Sequence, residues 1–91
     1  MRYRGLPAFE RRLRKLDSVR KARVTQAIER LVAFFETGDL PAGLGLKPLR
    51  HNLWEVRAGL LDRVLFHRDG DLIEWLIVGT HEEIRRFLKT L

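Results

Sequence analysis

Residues 53–81 read LWEVRAGLLDRVLFHRDGDLIEWLIVGTH, and the period of this stretch decides the fold. Leu53-Trp54-Glu55-Val56-Arg57 alternates in the manner of a half-buried strand, and Gly59 permits a turn. Leu61 to His67 reads as a second strand, followed by Asp69-Gly70, a strong hairpin signal. Leu72 to Val78 reads as a third strand, with Ile73, Trp75 and Ile77 expected on one face. The period then changes. Thr80-His81-Glu82-Glu83 is a capping-box pattern, and Ile84, Phe87 and Leu88 form the apolar stripe of a last helix.

Upstream of the strands the period is helical. Pro7 suits a first helical turn, and Phe9, Leu13 and Leu16 follow at i, i+4, i+7. Asp17 or Ser18 can cap a second helix, whose stripe is Val24, Ile28, Leu31 and Phe35, widened by Ala27 and Phe34. Gly38 suits the left-handed position that ends it. Residues 38–48 form a Gly- and Pro-rich loop with four apolar side chains expected to pack down. The expected class is α+β, one domain over residues 1–91. An N-terminal helical hairpin packs on a small antiparallel β-meander of three to four strands, with a short C-terminal helix. A short strand near Arg2–Leu6, ahead of the hairpin, is left open. One sheet face is expected to be free.

Ninety-one residues with 45% hydrophobic and 33% charged side chains make a globular chain with a small core. Fourteen arginines and four lysines against 12 acidic residues leave a net charge of +6. Residues 1–35 hold ten basic and three acidic side chains, so the remaining 56 sum to −1. Such a basic lobe fits a polyanion or an acidic partner, and equally a solvated helix surface. The absence of cysteine excludes disulfides, thiol nucleophiles and thiolate metal sites. No apolar run matches a signal peptide or a membrane span, so a cytoplasmic protein is expected.

Few residues carry chemistry. The alternation puts Glu55 and Arg57 on one strand face, with Arg63, Leu65 and His67 on the matching face of the next. Arg63 needs a partner there, and an ion pair with Glu55 or Asp62 would supply one without any further role. His81 stands where the third strand meets the last helix and can serve as a general acid or base, or merely fill the first helical position. His51 and His67 have weaker claims. The three histidines are too dispersed for a metal site. Lys47 and Arg50 can clamp phosphate from a loop beside the sheet, or be ordinary surface charge. Trp54 and Trp75 read as core.

A basic helical hairpin followed in order by Leu46-Lys47-Pro48-Leu49, Leu53-Trp54-Glu55-Val56-Arg57, Asp62-Arg63-Val64-Leu65-Phe66 and Ile77-Val78-Gly79-Thr80-His81 resembles the RelE/ParE toxin superfamily of bacterial toxin–antitoxin systems. The likeness runs over nearly the whole chain. It implies a concave basic face, no cofactor, and a cognate antitoxin partner in a toxin–antitoxin hetero-oligomer. RelE-like members cleave mRNA in the ribosomal decoding site without metal: the 2′-hydroxyl attacks the adjacent phosphodiester and leaves a 2′,3′-cyclic phosphate. ParE-like members keep the fold but bind DNA gyrase and lack the catalytic set. By position, Arg63 matches the arginine that steadies the scissile phosphate, and His81 the acid for the leaving 5′-oxygen. Lys47 matches a loop residue that stabilises charge or moves a proton. Arg57 and Arg50 would add phosphate contacts. Arg11, Arg12 and Lys15 lie in the densest basic cluster, suited to rRNA docking or to solubility. RelE-like proteins often carry an aromatic just after the position of His81, where this chain has Glu82-Glu83, so a base-stacking residue is left unassigned.

Overall fold

Pro7 has no N–H to donate, and it opens helix α1 (Pro7–Lys15) directly after strand β1 (Arg2–Gly5). In the computed structural model, which describes residues 1–91, α1 leads through Leu16 and Asp17 into helix α2 (Ser18–Thr37). Of the two candidate caps, Asp17 is the one used: its carboxylate accepts from the Arg20 N–H at 2.9 Å. Gly38 ends α2 with φ +80°, the left-handed conformation glycine adopts without penalty. Strands β2 (Lys47–Pro48), β3 (Leu53–Ala58), β4 (Asp62–Asp69) and β5 (Leu72–Thr80) follow, then helix α3 (His81–Leu88).

The α+β class stands, but the sheet is larger than a meander. It has five strands in the order β1-β5-β4-β3-β2 and is mixed, because β1 runs parallel to β5 while the other neighbours are antiparallel. The first strand was hard to see because Pro7 follows it so soon. In the Gly- and Pro-rich loop only Leu44 is fully buried and Leu46 partly, while Leu40 and Ala42 stay exposed.

Helices α1 and α2 cover one face of the sheet. Phe9, Val24, Ala27 and Leu31 pack there against Val56, Val64, Phe66, Ile73, Trp75 and Val78. Phe66 meets Trp75 edge-on at 5.5 Å between centroids, and Phe35 meets Phe66 edge-on at 6.0 Å. Both tryptophans serve this core, Trp75 buried and Trp54 half-buried. Ile77 departs from the expected alternation. Leu65 pairs with Ile77 but Phe66 pairs with Trp75, so Leu76 is an extra residue and β5 is bulged. The bulge resets the phase and turns Ile77 to the opposite face.

That opposite face is not fully free. Helix α3 folds back over it, and Ile84 packs with Leu53, Leu65 and Ile77. Gly79 allows the reversal, since a Cβ there would lie 2.9 Å from Glu83 Oε1 and 3.1 Å from its Cβ. The capping box forms as expected: the Glu83 N–H donates to the Thr80 hydroxyl, and the Thr80 N–H donates to the Glu83 carboxylate at 2.9 Å. Arg12 of α1 completes the joint, donating to Glu83 Oε2 at 2.5 Å.

These contacts, the Thr80 N–H first and Arg12 next, hold the Glu83 carboxyl at about 2, below its ordinary 4.5. A lowered folded pKa means the stabilisation is complete above about pH 4.5 and is lost as pH falls through about 2. Thermal melts followed by circular dichroism over that range check this. Glu83→Gln keeps a capping acceptor without the charge, so it should cost about 1 kcal/mol at neutral pH and flatten the acid dependence.

Candidate functional site

The face opposite α1 and α2 carries an apolar patch under α3 and, beside it, a charged patch near the β3–β4 turn. Strand alternation and register build the charged patch. Lys47 lies directly across from Glu55, and Arg57 directly across from Arg63. In such pairs the Cβ atoms stand about 5 Å apart and share a face. Arg63 lies across from Gly79 on its other side, and the chain reaches His81 two residues later.

Arg63 is the hub. Its Nε lies 3.5 Å from Glu55 Oε1 and 3.3 Å from His81 Nδ1. Arginine has only N–H groups to offer, so Nδ1 of His81 is the acceptor and the ring proton sits on Nε2. Arg63 and Glu55 are largely shielded, while His81, Arg57 and Lys47 are exposed. The patch therefore combines one carboxylate, three cations and an imidazole. Arg57 and Arg63 face each other as like charges, a repulsion that the Glu55 carboxylate beside Arg63 offsets in part and a bound anion would offset further. An oxyanion seated between those guanidiniums would be within reach of a carboxylate able to take a proton and an imidazole able to deliver one.

Of the residues singled out in the sequence, Lys47, Arg57, Arg63 and His81 come together. Arg50 does not. It sits in the turn before β3, at the opposite end of that strand from Arg57, and its guanidinium donates to Leu88 O at 3.4 Å at the end of α3. With Leu49, Arg85, Leu88 and Lys89 it lines a separate shallow groove. Arg11, Arg12 and Lys15 line another cleft, beside Arg20, Gly79 and Glu83, where Arg12 is already bonded to Glu83. Asp62 is no partner of Arg63. It is buried on the other face, where Arg20 binds it in bidentate fashion at 2.8 and 2.7 Å, and this bond raises the Arg20 pKa above its ordinary value. His67 lies 3.4 Å from Glu74, away from the patch. His51 and Asn52, at φ +54° and +61°, make the tight turn into β3. No three histidine or acidic side chains converge as a metal-ligating group, and no helix is long and apolar enough to cross a membrane.

This architecture matches solved structures over almost its full length. A chain of the RelB–RelE antitoxin–toxin complex from Methanococcus jannaschii superposes with a TM-score of 0.69, covering 91% of this chain and 95% of that one at 20% identity. The chain has the RelE/ParE toxin fold. The E. coli DinJ–YafQ complex gives a TM-score of 0.63 at 15% identity over 92% of this chain and 98% of that one. A YoeB/ParE toxin from Agrobacterium tumefaciens gives 0.63 at 20% identity over 89% and 99%. No protein-family model matches the sequence, and no curated sequence relative does.

Within the RelE/ParE fold of this chain, Glu55 is the site member that the sequence left as a mere ion-pair partner. The alternation in residues 53–57 already put it on the face of Arg57. Its place beside Arg63 appears only with the β3–β4 register, which sets the two diagonally across neighbouring strands.

Proposed function

We propose that this chain is the toxin of a toxin–antitoxin pair and that it acts as an endoribonuclease, cleaving mRNA on the ribosome. The observation that carries this reading is Arg63 Nε within 3.5 Å of both Glu55 and His81, with Arg57 opposite. The toxin–antitoxin assemblies among the structural neighbours support the partner, an antitoxin whose acidic segment would cover the basic face.

In the proposed reaction Arg63, aided by Arg57, holds the scissile phosphate. The substrate's 2′-hydroxyl attacks the adjacent phosphorus, and its proton passes to the Glu55 carboxylate. The bond from phosphorus to the 5′-oxygen breaks, leaving a 2′,3′-cyclic phosphate. Once phosphate has drawn Arg63 away, Nδ1 of His81 is free to take up a proton from water, and the imidazolium then protonates the departing 5′-oxygen through Nε2. Lys47, opposite Glu55, offsets charge on the pentavalent phosphorane. All of this is positioning and proton transfer by side chains.

Induced expression in a bacterial host tests the assignment. Wild type should arrest growth with cuts in translated transcripts mapped by primer extension. The Arg63→Ala/His81→Ala double variant should not arrest growth, and purified wild type should leave gyrase supercoiling unaffected. Arrest that persists in the double variant, with supercoiling inhibited, would establish a ParE-like gyrase inhibitor instead.

A further inference from the structure

Strand β3 pairs on its outer side with β2 only at Trp54 and Glu55; past them no strand continues, and the loop through Gly43, Leu44 and Gly45 lies alongside, with Gly45 close against Arg57. Helix α2 packs against β3 and turns Arg23, Gln26 and Arg30 toward this edge, at i, i+3, i+7. With Arg57 and Gly59 they line a cleft of about 280 Å³. The stem of Arg23 lies against Gly59, where a Cβ would come within 2.9 Å of Arg23 Cδ.

Neutralisation separates this cleft from the rest of the helix. One turn earlier on the same stripe, Arg20 is fully engaged by Asp62. Arg23 and Arg57 have no carboxylate within ion-pair distance, and Arg30 donates only to Ala42 O at 2.9 Å. The neighbouring acid on α2, Glu29, lines grooves on the other side of the helix. Three uncompensated guanidiniums around a polar cleft suit a phosphodiester, which accepts from arginine in bidentate fashion. Arg57 links the cleft to the patch described above: it lines the cleft and stands opposite Arg63 in the sheet.

We propose that Arg23, Arg30 and Arg57 form a second phosphate-binding site, which seats the single-stranded substrate RNA beside the scissile phosphate. The proposal rests on the endoribonuclease reading for what lies at Arg63, but its test needs no cleavage. The probe is a short fluorescein-labelled 2′-O-methyl RNA, which offers a phosphodiester chain without an attacking hydroxyl. Binding to the full chain is followed by anisotropy across a salt series. Each phosphate contact on a single strand contributes about 0.7 to the slope of log affinity against log salt, so Arg23→Ala/Arg30→Ala should lower the slope by about 1.4 and weaken low-salt binding about tenfold. Lys21→Ala/Arg86→Ala removes the same charge elsewhere and should change the slope by less than half as much. Circular dichroism melts confirm that both pairs fold. Equal loss in the two pairs, or no binding by wild type, would overturn the proposal. Wild type that binds the probe as expected but cuts no mRNA would instead remove the reading of the Arg63 site.

Discussion

Arg20→Ala should lower stability by about 3–5 kcal/mol, since it strands a buried carboxylate without its partner. Asp62 is 1% exposed and receives both of its hydrogen bonds from the Arg20 guanidinium. Domains of this size commonly have about 5–15 kcal/mol in total, so the loss is a large share. At about 4–8 °C per kcal/mol, the melting temperature should fall by at least about 12 °C. Arg20→Met/Asp62→Leu removes both charges and should recover most of that loss, because the single variant suffers from the uncompensated charge rather than from a missing attraction. Thermal melts of the two variants check this. A fall below about 1 kcal/mol for Arg20→Ala would mean that Asp62 finds water or another donor.

The second large effect is on activity. Arg63→Ala should reduce cleavage by about 10³-fold, near 4 kcal/mol of barrier, since it removes the cation on the phosphate and the group that organises Glu55 and His81. His81→Ala and Glu55→Gln should each cost about 10²–10⁴-fold. The Arg63→Ala/His81→Ala double variant should fall little below the worse single one, because residues that act on one transition state are not additive. Melting temperatures should barely change for His81→Ala, whose side chain is exposed. Single-turnover rates of the single and double variants check these outcomes.

What the sequence disclosed depended on the range of each interaction. The α2 end at Gly38 and the box from Thr80 to Glu83 are set by residues within a turn of one another, so they could be read directly, and the α2 start was narrowed to Asp17 or Ser18. The faces of Trp54, Val56, Val64 and Phe66 followed from simple alternation. Ile77 did not, because the bulge at Leu76 arises where β5 must satisfy two cores at once, and no local pattern marks it. The bond from Arg20 to Asp62 spans 42 positions, and that from Arg12 to Glu83 spans 71. Both were invisible as pairs, and each withdraws a cation from the basic lobe that composition alone counts as free.

The same distinction sorts the candidate site. Arg63 and His81 lie 18 positions apart on two elements that meet only when β5 completes its pairing with β4. The likeness to the toxin family singled out both residues. Glu55 needed the register as well. Arg50, equally basic in sequence, is held away by the turn through His51 and Asn52 and by the end of α3.

The most direct measurement is single-turnover cleavage of a defined mRNA on purified ribosomes by the wild-type chain, with chemical identification of the new 3′ end. A 2′,3′-cyclic phosphate, formed in the presence of chelator and lost in Arg63→Ala, is the predicted result. Intact mRNA at saturating protein, or cleavage that Arg63→Ala leaves unchanged, would contradict the proposed role of the Glu55–Arg63–His81 cluster.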